Sequence, residues 1–139
     1  MIKHAHHQFD IDHPGKDSYE LRKAGADQML IASSKRWALM VENTSNESDI
    51  SLQKLIGQLD VVSIDIILVE GFKSESFPKI ELHRPVVNAN LMYQSDKNII
   101  AIATDQTLHL SDDIPQLDIN NPHQVTEFII ANILNENQR

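Results

Sequence analysis

The stretch IDIILVEG, residues 64–71, carries the strongest indication of the fold. Its first six residues are nearly all apolar and several are β-branched, which is typical of a strand that is covered on both faces. Glu70 and Gly71 follow at the carboxyl end of this predicted strand, where open parallel sheets bind their ligands. The stretch therefore predicts an α/β protein with a mostly parallel sheet, flanking helices and a site beyond the strand ends.

The remainder of the chain alternates short strands with helices, which favours the same fold class. Strands are predicted at residues 2–7, 29–33, 36–42, 64–69, 79–84, 99–103 and 117–119, and helices at residues 17–24, at residues 52–59 and from Pro122 onward. Trp37, the only tryptophan, lies in a strand-like run. We expect it to pack in the core rather than to stack on a base.

Composition excludes several classes of function. The formal net charge of −8 disfavours binding to a nucleic-acid backbone. No apolar run approaches the roughly 18 residues of a membrane span. The absence of cysteine excludes thiolate metal sites and fits a cytoplasmic protein. At 139 residues the chain suits a single domain.

The segment from residue 4 to residue 13 is rich in groups that bind cations. Its histidines and carboxylates are His4, His6, His7, Asp10, Asp12 and His13. Carboxylates suit Mg²⁺, whereas imidazole and carboxylate together suit zinc or nickel. A solvated polar loop explains the same residues, so a magnesium site at Asp10 and Asp12, a transition-metal site and a plain loop remain as alternatives.

Three further positions follow predicted strands or a turn. Lys16, after the Pro14–Gly15 turn, would add positive charge for a phosphate at the start of a helix. Glu70 has the position of a Walker B carboxylate that binds magnesium or orients a water, and Gly71 permits close approach of a ligand. Asp105 would accept hydrogen bonds from guanine. The alternatives are a helix N-cap at the turn, a carboxylate that caps the sheet end, and a turn aspartate.

Five stretches together resemble the molybdopterin-guanine dinucleotide biosynthesis protein B family over nearly the whole chain. They are IKHAHHQFDIDHPGKDSYELRKAGADQ from residue 2, RWALM from residue 36, IDIILVEGFK from residue 64, KIELHR from residue 79 and IAIATD from residue 100. The first block is long and rare, which makes the resemblance specific.

The resemblance implies a P-loop NTPase-like fold that binds GTP and Mg²⁺, hydrolyses GTP weakly and forms a homodimer. It implies a role in assisting protein A, the guanylyltransferase that attaches guanosine monophosphate to molybdopterin, with molybdopterin as a further ligand. Asp10, Asp12 and Lys16 would face the phosphates and magnesium. Glu70, as the catalytic residue, and Gly71 would form the Walker B end, and Asp105 would bind the guanine base.

The chain departs from the family pattern at its beginning. The family has a strand, a Gly-x-x-x-x-Gly-Lys-Thr loop and a helix ahead of the position of Ile2, and that loop motif occurs nowhere in this sequence. We therefore expect residues 1–139 to form one N-terminally truncated P-loop NTPase-like domain that lacks its first strand, Walker A loop and first helix. We also expect weak nucleotide affinity. The explanations for the missing segment are a start codon inside a longer gene, a truncated product and a segment supplied by a partner, and we favour the first.

Whether the chain is an enzyme stays open on the sequence alone. The two alternatives to a GTP-binding accessory protein are a histidine-based metal carrier and a non-hydrolysing remnant. Such a remnant would bind the partner protein or the pterin dinucleotide.

Overall fold

The computed structural model describes residues 1–5, 9–43, 50–87 and 90–135. Contacts divide the chain into two compact units. The first unit comprises Met1–Ser63 and Ile67–Gly71, and the second comprises Ile64–Ile66 and Phe72–Arg139. Within the described ranges, no helix is both long and apolar enough to cross a membrane.

Seven strands and three α-helices follow one another in the described chain. In order they are β1 (Ile2–Lys3), α1 (Asp17–Lys23), β2 (Gln28–Ala32), β3 (Trp37–Val41), α2 (Leu52–Ile56), β4 (Val69–Glu70), β5 (Lys79–His83), β6 (Ile99–Thr104), β7 (Gln116–Asp118) and α3 (Pro122–Ile129). A short 3₁₀ turn at Val61–Ser63 precedes β4, and α3 continues into a π-helical turn at Ile130–Leu134.

In the first unit, β1 and β4 pair in parallel, with Ile2 opposite Val69 and Lys3 opposite Glu70. The backbone N–H of His4 continues the ladder by donating to the Glu70 carbonyl at 2.8 Å. The strand predicted at residues 64–69 is therefore shorter than expected and lies at Val69–Glu70. Its length follows from its partner, because in the described part of the chain β4 pairs only with the two-residue β1.

Strands β2 and β3 form an antiparallel hairpin, in which Leu30 lies opposite Leu39 and Ala32 lies opposite Trp37. The two predicted strands are confirmed here. The expectation that Trp37 packs in the core is wrong, because 67% of this residue is exposed. Alternate side chains of a strand share one face, and the face that carries Trp37 is open to solvent.

The second unit contains a parallel three-stranded sheet in the order β5-β6-β7. Its central strand β6 is almost entirely buried, as its apolar run predicts. Ala101, Ala103 and Leu117 form the core, and Val125 and Phe128 of α3 pack against it. The parallel pairing of β1 with β4 and of β5, β6 and β7 confirms the predicted α/β class.

Helix α3 begins as its sequence predicts. The Asn121 side chain accepts a hydrogen bond from the Gln124 N–H, and Pro122 occupies the first turn, where a backbone N–H is not needed. This start places the helix beside the carboxyl end of β7, where the Gln124 side chain accepts a hydrogen bond from the Asp118 N–H.

Candidate functional site

Glu70 ends β4 at the carboxyl edge of the parallel pair, as the sequence predicts. Its carboxylate forms an ion pair with Lys3 at 3.1 Å, and about half of its side chain is exposed. The pair lies across the two strands at the last paired position. Glu70 is thus accessible to a ligand, and Lys3 adds a positive charge beside it.

Gly71 directly follows Glu70 with a backbone φ of +89°. A Cβ atom at this position would lie 2.7 Å from the Cβ of His4, which is too close for two carbon atoms. Glycine is therefore required both for the left-handed backbone and for the approach of β1 to β4. The glycine that the sequence singles out for close approach to a ligand is used here for close approach to His4.

Asp10 forms an ion pair with an arginine of α1. The Nη2 atom of Arg22, on α1, donates to both oxygens of Asp10 at 2.7 and 2.8 Å. The Nη1 atom donates to Glu42, just after β3, at 2.7 Å. Only 9% of the Arg22 side chain is exposed. Arg22 therefore joins α1, the segment before it and the end of the hairpin.

The ion pairs of Arg22 with Asp10 and Glu42 change the expected chemistry of Asp10. The hydrogen bond from Arg22, followed by the one from the Asp12 backbone N–H, holds the pKa of Asp10 below its ordinary value. The hydrogen bonds that Arg22 donates to Asp10 and then to Glu42 raise the pKa of Arg22. Because both Asp10 oxygens accept from Arg22, a cation at Asp10 must compete with an ion pair.

Asp12 lies two residues further and is half-buried. Its Oδ1 atom accepts a hydrogen bond from the His13 N–H at 2.9 Å, and its Oδ2 atom is buried without a partner in the described structure. A buried carboxylate oxygen without a donor or cation is costly, by roughly 1–3 kcal/mol or more. Asp12 is therefore the carboxylate of this segment that is available for a cation.

Lys16 is the N-cap residue of α1 and its side chain is exposed. Its backbone N–H donates to the His13 carbonyl at 3.3 Å, which closes the turn that Gly15 permits with a φ of +86°. The side chain makes no capping hydrogen bond. The turn predicted at residues 14–16 is confirmed, and the ammonium group projects from the same segment as Asp12.

The structure does not gather Asp10, Asp12 and Glu70 into one cluster. Among the described residues, no group of three or more histidine or acidic side chains lies close enough to bind a single metal ion. Asp10 and Asp12 are joined through a hydrogen bond from the Asp12 N–H to Asp10. His6 and His7, the centre of the histidine block, lie outside the described residues.

Asp105 belongs to the second unit and follows β6 directly. It lines a cavity of about 570 Å³ at the carboxyl ends of β6 and β7, the position where parallel sheets bind ligands. The other residues that line it are Thr104, Gln106, Thr107, Gln116, Leu117, Asp118, Asn120 and Gln124. The position predicted for guanine recognition therefore borders a cavity large enough for a base.

Arg84 connects two of the residues around this cavity. Its Nη1 atom donates to Asp105 Oδ2 at 2.7 Å, and its Nη2 atom donates to Asn120 Oδ1 at 3.2 Å. Asp105 Oδ1 is buried without a hydrogen-bond partner in the described structure. Parallel pairing of His83 with Thr104 brings Arg84 and Asp105 to the same sheet edge. Two opposite charges after adjacent strands are the sequence signal that would have found Arg84.

Comparison with known proteins places these features in a family. Residues 1–105 match the family model described as molybdopterin guanine dinucleotide synthesis protein B. The chain belongs to this family. The matched range includes both arginines and the carboxylates Asp10, Asp12, Glu42, Glu70 and Asp105.

Members of the synthesis protein B family share extensive sequence with this chain. It is 47% identical over 136 residues to the molybdopterin-guanine dinucleotide biosynthesis adapter protein of Escherichia coli K12, which covers 94% of this chain and 73% of that protein. The protein of the same name from Haemophilus influenzae Rd is 40% identical over 129 residues, with 93% and 69% covered.

A solved structure shows the same fold. The crystal structure of Bacillus subtilis MobB superposes with a TM-score of 0.65 at 22% identity and covers 94% of this chain and 76% of that one. The likeness confirms the predicted fold class.

Proposed function

We propose that this protein is a GTP-binding accessory protein of molybdenum cofactor biosynthesis. It assists the guanylyltransferase that joins guanosine monophosphate to molybdopterin. The names of the relatives, adapter proteins of molybdopterin-guanine dinucleotide biosynthesis, support the pathway and the accessory role. A cytoplasmic location is part of the proposal and agrees with the absence of cysteine.

The observation that carries the proposal is the buried Oδ2 atom of Asp12, which has no partner among the described residues. Mg²⁺ in nucleotide sites is usually bound through one or two carboxylates together with phosphate oxygens and water. Asp12 can act as such a carboxylate, because phosphate oxygens and water would complete the coordination of the ion. A cluster of three protein ligands is needed only where the protein alone binds the ion. In this proposal Asp12 contacts the magnesium of Mg·GTP. Asp10, which is held by its ion pair with Arg22, positions Asp12 by accepting a hydrogen bond from the Asp12 backbone N–H.

The other predicted residues take roles that their positions allow. Lys16, with its exposed ammonium group, would neutralise phosphate charge. Glu70, exposed at the end of β4, would bind magnesium through water or orient the water that attacks the γ-phosphate. Asp105, beside its cavity in the second unit, would accept hydrogen bonds from guanine.

A direct test is calorimetric titration of the 139-residue chain with Mg·GTP. We expect Asp12→Asn to weaken binding at least about tenfold, because the neutral amide gives a cation far less stabilisation than a carboxylate. Asp112→Asn is the matched control, since Asp112 is exposed and the substitution removes one negative charge in the other unit. Equal affinities for the wild type, Asp12→Asn and Asp112→Asn would refute the assignment.

The proposal includes a homodimer formed through the β2–β3 hairpin. Leu30, Trp37, Leu39 and Val41 lie on one face of this hairpin and are exposed. A two-stranded hairpin is at best marginally stable in water by itself, and an exposed apolar face of this kind marks an interaction site. The same face of a second copy is equally apolar and uncharged, so the two faces match.

A further inference from the structure

We infer that Arg84 determines which bases the Asp105 cavity accepts, because it occupies one of the two carboxylate oxygens that would read guanine. The inference rests on the proposed function, since it concerns the base site assigned there to Asp105. It assigns a specificity-determining role to Arg84, which is not itself one of the residues that line the cavity.

The two carboxylate oxygens of Asp105 differ in their hydrogen bonds. Oδ2 accepts a 2.7 Å ion-paired hydrogen bond from Arg84, whereas Oδ1 has no partner in the described part of the chain. Arg84 Nη2 donates a hydrogen bond to Asn120 Oδ1, so two hydrogen bonds hold the guanidinium group in place. Only 21% of the Asp105 side chain is exposed. The carboxylate is therefore fixed, with Oδ1 as the oxygen that still requires a donor.

The other polar groups around the cavity are largely engaged with the chain itself. The Gln116 side chain bonds to both the N–H and the carbonyl of Leu108, and the Gln124 carbonyl accepts from the Asp118 N–H. The Thr104 hydroxyl bonds to the Gln106 backbone. Among the described residues that line this cavity, Asp105 Oδ1 is the buried side-chain oxygen that has no hydrogen-bond partner, and we assign base recognition to it.

One available oxygen changes the expected selectivity. Guanine presents two adjacent donors, the N1–H and the exocyclic amine, and a free carboxylate accepts both. Hypoxanthine presents only the N1–H, and adenine carries a lone pair at N1. If Oδ1 alone accepts a hydrogen bond, guanine and hypoxanthine bind about equally. Adenine binds more weakly, because its N1 lone pair faces the carboxylate.

The test compares guanosine, inosine and adenosine monophosphates, without magnesium, by NMR titration of the full 139-residue chain. We expect the wild type to bind guanosine and inosine monophosphates within about threefold of each other and adenosine monophosphate more weakly. In Arg84→Met both oxygens are free, so the preference for guanosine over inosine monophosphate should rise to about tenfold or more, the value of one charge-assisted hydrogen bond.

The ratio of the two affinities separates specificity from structural damage. A variant that only loosens the cavity weakens both nucleotides equally and leaves their ratio unchanged, which would overturn the inference. Lys97→Met is the control, because Lys97 is an exposed cation of the same unit that does not line the cavity. It should leave both affinities at their wild-type values.

Two other results would also overturn the inference. They are a wild-type preference of tenfold or more for guanosine monophosphate, and the absence of any binding of guanosine monophosphate. Failure of the proposed function is read separately, from Mg·GTP binding and its response to Asp12→Asn. Those measurements probe residues of the first unit, whereas the monophosphate ratio probes Arg84 and Asp105 of the second.

Discussion

At the scale of single residues, Arg22 shows how one nearly buried cation organises an acidic segment. It binds Asp10 and Glu42 together, and its Nε atom is buried without a partner in the described structure. Removing the cation leaves two carboxylates facing each other without compensation. Arg22 is therefore expected to matter for stability as well as for the conformation of Asp12.

We expect Arg22→Gln to lower the midpoint of urea unfolding and Asp10→Asn to lower it less. The double variant should be less destabilised than the sum of the two, because both substitutions break the same ion pair. Unfolding followed by circular dichroism gives the three midpoints. Strict additivity would show that Arg22 and Asp10 do not interact in solution.

At the scale of elements, an ion pair fastens the start of β5 to the segment before β6. Lys79 Nζ lies 2.6 Å from Asp96 Oδ2, and both side chains are mostly buried. The hydrogen bond from Lys79, and then that from the Asn98 N–H, lowers the pKa of Asp96 from 3.8 to about 2. The ionised carboxylate is thus the form that the folded state prefers.

The consequence is a pH dependence with a defined sign. Because the folded pKa is depressed, the stabilisation by Asp96 is complete above the unfolded value of 3.8 and is lost as the pH falls through about 2. The unfolding midpoint of the wild type should therefore fall relative to Asp96→Asn between pH 4 and pH 2. A constant difference across this range would contradict the assigned ion pair.

The elements also show what the sequence could and could not predict. The apolar run of β6 predicts a strand buried on both faces, and the Asn121–Pro122 pair predicts the start of α3; both are confirmed. The strand predicted from residue 64 depends on a partner strand, and its observed length is that of β1. Periodicity cannot report the length of a partner.

The sequence predicts the carboxylates of the candidate site but not the cations that bind them. Glu70 and Asp105 can be predicted because each follows an apolar run. Their partners cannot be predicted in this way, because Lys3 and Arg84 lie far away along the chain and reach these carboxylates only through strand register. Contacts of this kind become visible once the register of the parallel strands is known.

At the scale of the whole molecule, the hairpin face predicts the state of assembly. Trp37→Ser should shift the protein from dimer to monomer in light scattering after size-exclusion chromatography, since Trp37 is large, apolar and 67% exposed. Val62→Ser is a control, because Val62 is an exposed apolar residue outside the hairpin. A monomeric wild type, or a variant that remains dimeric, would exclude the hairpin as the interface.

The close approach of Gly71 to His4 has a consequence for sequence change. Any side chain at position 71 would collide with His4 and also force a left-handed backbone that other residues rarely adopt. Random mutagenesis with selection for a folded product should therefore return glycine alone at this codon. The neighbouring Glu70 codon, whose side chain is half exposed, should accept many replacements under the same selection.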